Sequence, residues 1–156
     1  MKAWRIGVAV SVLCVMAVAS VGAEERAESE KTPYISAEVL KEWMAKKWPI
    51  TFLDVRAQDE FDAGHLAGAI HIHYDEVASI VDQLPKIKPI VVYCIHSIHR
   101  APAAAQRLRE LGFDNAYVLE GGLVALQEAG FQLRSSDLAK APAILPKTER
   151  CAIPAQ

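Results

Sequence analysis

The chain has 156 residues, 52% of them hydrophobic and 23% charged, with a formal net charge of −2. This is the composition of one ordinary globular domain. The slightly acidic balance offers nothing for a polyanion to bind, so no nucleic-acid partner is expected.

The first stretch does not belong to the domain. Lys2 and Arg5 form a basic start, Ile6–Val21 is apolar and uncharged, and Val21-Gly22-Ala23 places small residues where a signal peptidase cuts. The reading is a signal peptide over 1–23, cleaved after Ala23, which directs the chain to a periplasm or another secreted space. An uncleaved anchor is the alternative, but the apolar run is short for a span of about 20 residues. No stable membrane insertion is expected after cleavage. Cys14 lacks the small residues that precede a lipidated cysteine, so only Cys94 and Cys151 survive processing, in an oxidising compartment.

Residues 24–32 are charged and aperiodic and read as a linker. The domain is expected over 33–134. Tyr34-Ile35 suits a short edge strand. Ser36 is an N-cap for a helix running to about Lys47, with Val39, Leu40, Trp43 and Met44 at helical spacing. After Pro49, Ile50–Val55 reads as a buried parallel strand. Gln58–Ala63 is a short helix, Gly64–Gly68 a turn, and Ala69–Ile72 a strand. Asp75 is expected to cap a helix over Glu76–Gln83. Ile90–Tyr93 is the central strand and Ala101–Leu111 a helix stopped at Gly112. Asn115–Leu119 is a further strand, and Leu123–Ala129 a helix stopped at Gly130. Strands alternating with helices predict an α/β fold with a mostly parallel sheet. The proline-bearing stretch 135–156 reads as a tail.

Within this pattern, Val91–Ala105 carries the chemistry. Cys94 ends a strand, five residues follow, and Arg100 precedes a helix that tolerates Pro102 in its first turn. The thiol therefore sits at the carboxyl end of a strand, where α/β sheets bind ligands, and at the positive end of a helix. That field favours thiolate over thiol, whose free pKa is about 8.5. Arg100 adds a planar fork of donors suited to oxyanions. The bland alternative is a cysteine that only fills space.

With these pieces in place the chain resembles the rhodanese family. The matching residues run from about Tyr34 to Phe131. One block is Asp54-Val55-Arg56, Glu60-Phe61, Gly64-His65-Leu66 and Gly68-Ala69. The other is Val91-Val92-Tyr93-Cys94, Arg100, Leu108, Leu111-Gly112-Phe113 and Leu119-Glu120-Gly121-Gly122. The resemblance implies a three-layer fold with helices on both faces of a central sheet. It also implies a sulfurtransferase in which Cys94 takes sulfane sulfur as a persulfide and passes it to a thiophilic acceptor. The partners would be a small sulfur-containing anion and a thiol or cyanide-like acceptor, with no cofactor and no metal. The chain departs from the sulfurtransferase pattern in having five residues rather than four between Cys94 and Arg100, namely Ile95, His96, Ser97, Ile98 and His99. That Cys-x5-Arg spacing resembles the phosphatase and arsenate-reductase branch. However, Ala101 stands where phosphatases commonly have a hydroxyl. The loop also lacks the glycine and extra arginine often seen in thiosulfate-using members.

Three functions are open: a sulfurtransferase, a cysteine-dependent phosphatase or arsenate reductase, and a non-catalytic redox or sulfur-carrier binding module. The loop 95–99 is the expected substrate cradle, and His96 and His99 face either the pocket or solvent. Together with Cys94 they also make a conceivable metal set, but a loop wrapped on an anion closes poorly on a metal. Arg56 and Glu60 are expected to form a structural ion pair, with Asp54 beside the pocket wall. His65 is expected to stabilise its turn, and His71 and His73 to point the same way from one strand. Cys151 is a candidate redox partner for Cys94. The active species is expected to be a monomer.

Overall fold

The protein is described by a computed structural model covering residues 32–136. The expected signal segment 1–23, most of the expected linker and Cys151 lie outside the described residues. The described residues form seven strands: β1 (Tyr34–Ile35), β2 (Thr51–Asp54), β3 (His65–Leu66), β4 (Ile70–His71), β5 (Ile90–Tyr93), β6 (Ala116–Leu119) and β7 (Leu133–Arg134). The helices are α1 (Ala37–Ala45), α2 (Gln58–Ala63), α3 (Arg100–Glu110) and α4 (Gly122–Glu128), with a 3-10 helix over Val77–Gln83.

Five strands form one parallel sheet in the order β1-β6-β5-β2-β4. The central strand β5 is buried along its whole length, as a parallel strand covered on both faces must be. Its side chains alternate between two cores. Ile90, Val92 and Cys94 join Leu53, Val55, Ala104, Leu108 and Val118 under α3 and the 3-10 helix. Val91 and Tyr93 join Leu40, Leu119, Leu123 and Leu126 under α1 and α4. The period-2 alternation of each strand therefore makes the three layers. The register sets Ile35 beside Leu119, and Tyr93 beside Asp54, which pairs in turn with His71. The carboxyl ends of all five strands thus share one rim.

Some local expectations are corrected. Helix α1 stops at Ala45 rather than Lys47, because Lys47 is in the left-handed region with φ 56. The stretch after Asp75 is a 3-10 helix with no side-chain cap, because the Asp75 carboxylate is turned onto His73 Nδ1. His65-Leu66 lies in a two-stranded antiparallel sheet with Leu133-Arg134, a strand too short to show any periodicity. This small sheet is tied to α2, since Ser135 Oγ and the Ser136 N–H both donate to the Asp62 carbonyl at 3.0 Å.

Candidate active site

Cys94 leaves β5 with its residue 0% exposed and packed among the apolar side chains beneath α3. The backbone then loops through five residues before α3 begins at Arg100. Ile95 and His96 are half-buried and Ser97 is buried, whereas His99 and Ile98 (57% exposed) face outward. Ser97 makes the loop tight. It sits at φ 53, a region that L residues with a Cβ seldom enter, and its Oγ accepts from the Cys94 N–H at 3.4 Å. His99 occupies the N-cap position of α3 without a side-chain cap bond, and its carbonyl accepts from Ala103.

The outer side of this loop is built by α4. The Leu123 N–H donates to the Cys94 carbonyl at 2.9 Å, and the Val124 N–H donates to the Ile95 carbonyl at 3.1 Å. These are first-turn amides with no partner inside their own helix, and they satisfy two carbonyls of a buried turn. The contact requires Gly122. A Cβ there would fall 2.4 Å from the Cys94 oxygen and 2.5 Å from the Ile95 oxygen, and the residue holds φ +59. In the sequence, Gly121-Gly122 stands as part of the second family block, just before the helix expected from Leu123. What sequence reading missed is that this helix start lies backbone against backbone on the cysteine loop.

The charged residues pair differently from expectation. Arg56 does not bridge to Glu60. Its Nε and Nη2 bind Asp54 at 2.9 and 2.7 Å, and Nη2 also donates to the Gly64 carbonyl at 2.7 Å. Both residues are 0% exposed, so the charge is neutralised inside the fold. Burial works against the Arg56 charge, but the bonds and charge of Asp54 outweigh it and hold the guanidinium protonated more firmly than usual. Asp54 is therefore the partner of Arg56, two residues away on the same turn. His71 turns inward, with Nε2 2.8 Å from the Arg56 carbonyl, while His73 pairs with Asp75, so the two do not share one environment. His65 does stabilise its turn, with Nδ1 2.8 Å from the Phe61 carbonyl and its ring stacked on Phe61.

Glu60 instead reaches the active loop. Its Oε1 and Oε2 accept from Nη2 and Nη1 of Arg100 at 2.9 and 2.5 Å, and Oε2 also accepts from the Ala57 N–H at 3.0 Å. Burial pushes the Glu60 carboxyl up. The bonds from Arg100 and Ala57 and the charges of Arg100 and Arg56 more than reverse this, leaving it below the usual range. The Arg100 fork, which sequence reading assigned to a substrate oxyanion, is held in a bidentate pair with only 7% of the side chain exposed. Behind the loop, the Tyr93 hydroxyl accepts from the Leu66 N–H at 3.3 Å. Burial, with the Asp54 charge added, keeps that phenol protonated far above its ordinary range. Among the described residues no group of three His, Cys, Asp or Glu side chains is placed to hold a metal.

Two stability measurements check this construction. Gly122→Ala should lower stability in urea unfolding by about 2 kcal/mol or more, because it adds a left-handed L residue and a backbone clash. An unchanged midpoint would contradict the close approach of α4. Glu60 is held below its unfolded-state value, so the unfolded chain binds more protons as the pH falls through that interval. The stability Glu60 contributes is therefore full above about pH 5 and lost as pH falls toward its folded value. Glu60→Gln should be less stable at neutral pH and should show a shallower acid limb; an acid limb of unchanged steepness would count against the pair.

Comparison with known proteins follows the same residues. The chain is 38% identical over 84 residues to a thiosulfate sulfurtransferase GlpE of Coxiella burnetii, covering 53% of this chain and 78% of that protein. It is 36% identical over 86 residues to the GlpE of Shewanella oneidensis, covering 55% and 84% respectively. Among solved structures, a rhodanese-related protein from Thermoplasma volcanium superposes with a TM-score of 0.57 at 31% identity, over 65% of this chain and 97% of that one. These relatives support sulfurtransferase activity in general. The Rhodanese-like domain family matches residues 36–129, a span that includes β5, the Cys94 loop, Arg100 and Gly122, and the chain belongs to that family.

Proposed function

We propose that the protein moves sulfane sulfur through a persulfide on Cys94. The observation that carries this reading is the placement of Cys94 between β5 and the first turn of α3, in a loop whose Cys94 and Ile95 carbonyls are bound by α4. With those carbonyls turned away, amides of the loop and of the α3 N-terminus remain the natural stabilisers of an anion on sulfur. The Cys94 thiolate attacks the outer sulfur of the donor. The donor S–S bond breaks, and its inner portion leaves with the electron pair, as sulfite from thiosulfate or as a thiolate from an organic hydropersulfide. Cys94 then carries the persulfide. An acceptor thiolate attacks the terminal sulfur, takes it, and restores the Cys94 thiolate. Neither step calls for a metal or an organic cofactor.

Arg100 acts here as a positioning residue. Its pair with Glu60 fixes the start of α3 and so the far end of the loop. The same pair weighs against the phosphatase and arsenate-reductase reading, in which the arginine fork must bind the oxyanion. Ala101, fully buried and without a hydroxyl, weighs against it too. The basic start and apolar run of 1–21, followed by Val21-Gly22-Ala23, support export with cleavage after Ala23.

Intact mass measures both proposals. Protein expressed with its leader and recovered from the exported fraction should begin at Glu24; a chain retaining residues 1–23 would overturn cleavage. After incubation with thiosulfate and, in parallel, with an organic hydropersulfide, the reduced protein should gain one sulfur atom, and Cys94→Ser should gain none. No gain from either donor, or an equal gain on Cys94→Ser, overturns the persulfide.

A further inference from the structure

The charge around the loop bears on which donor it takes. Two described arginines stand at the carboxyl rim near Cys94, and each is committed to a carboxylate. Arg56 is locked to Asp54 with both side chains fully buried, and the fork of Arg100 is locked to Glu60. The loop residues Ile95–His99 add no lysine or arginine. In the five residues after each parallel strand, the rim instead carries Glu38 after β1, Asp59 after β2, Asp75 and Glu76 after β4, and Glu120 after β6, all exposed. Among the described residues of the rim, the positive partial charges that remain are the loop amides and the N-terminus of α3, the latter equivalent to about half an elementary charge. That is less than the single negative charge of the Cys94 thiolate it faces. The outward part of the loop is Ile98, 57% exposed, and His99, with Ile95 and His96 half-buried beside them, so it presents one large apolar side chain and no fixed cation.

We infer that this site selects a sulfane-sulfur donor of low charge, an organic hydropersulfide R–S–SH, over dianionic thiosulfate. The inference rests on the persulfide reading of Cys94. In the transfer the Cys94 thiolate takes the terminal sulfur, the R–S bond to it breaks, and R–S⁻ leaves with the electron pair. Atoms and charge balance with no outside oxidant. A hydropersulfide, whether as R–S–SH or as its anion, brings at least one negative charge fewer to the transition state than thiosulfate. It does so where the described arginines of the rim are already paired with carboxylates, where the other charges on the rim are exposed carboxylates, and where Ile98 offers an uncharged R group an apolar contact.

The test compares initial rates of persulfide formation on the full mature chain by intact mass. The donors are thiosulfate and the hydropersulfide of 2-mercaptoethanol, whose R group is uncharged, at equal concentration and low ionic strength. The hydropersulfide should load Cys94 at least about tenfold faster, the scale expected of an uncompensated charge near a protein surface. His99→Arg places a cation on the exposed part of the loop, and it should raise the ratio of thiosulfate to hydropersulfide rates several-fold. Raising ionic strength from about 0.01 M to about 1 M shortens the screening length from about 30 Å to about 3 Å and should narrow the gap between the donors on the unaltered chain. Thiosulfate loading as fast as the hydropersulfide overturns the inference and leaves the persulfide reading standing. So does a rate ratio that neither the arginine nor the salt moves. Loading from neither donor overturns the persulfide reading itself and this inference with it.

Discussion

The active loop depends on where its carbonyl groups go. A turn that gathers N–H groups toward a sulfur anion must point carbonyl oxygens elsewhere, and in a buried turn each oxygen needs a donor. Helix α4 supplies two, through the amides of Leu123 and Val124, which have no partner within a helix's first turn. The arrangement is reciprocal, because each element satisfies the other's orphan groups. It works only at backbone-to-backbone distance, which is why Gly122 has no room for a Cβ. The loop geometry is thus set by a helix that follows the next strand, some 28 residues beyond the cysteine.

The far end of the loop is fixed by a different physical means. Arg100 opens α3, and its fork is gripped by Glu60, whose Oε2 also closes the first turn of α2 through Ala57. Glu60 therefore ties two helix starts together with one carboxylate. Because α2 in turn holds Ser135 and Ser136 through the Asp62 carbonyl, the tie extends from the loop to the last described residues. The two sequence blocks that mark the family, separated by forty positions at Glu60 and Arg100, meet at this pair.

Much of this was legible from the residues. The apolar runs located all five strands of the parallel sheet, and the spacing from Cys94 to Arg100 placed the thiol at a strand end before a helix. The partners of the charges were not legible. Asp54, Arg56 and Glu60 lie close in the chain, so a local pair between Arg56 and Glu60 was the simple reading. Arg56, however, is buried so completely that only the equally buried Asp54 reaches it in a bidentate geometry, and Glu60, partly exposed on α2, faces the loop. Strand pairing between β3 and β7 was hidden for a related reason. Two residues show no period, and what holds them is a contact across nearly seventy positions. The requirement at Gly122 was hidden too, because the sequence places this glycine before a helix but does not show that the Cys94 and Ile95 carbonyls lie against it.

Ser97 shows how little slack the loop has. A left-handed L residue costs about 1–2 kcal/mol, and glycine would avoid that cost. The serine at that position sends its Oγ toward the Cys94 N–H, but at 3.4 Å that bond is long and returns only part of the cost. The strain persists because both ends are held, one by α4 and the other by Glu60, and the loop cannot relax without losing bonds at one of them. Cys94, at the near end of this clamped turn, is 0% exposed and packed with Ala101, Ala104 and Leu108 of α3, so the bonds that hold the turn also hold the thiol in the core.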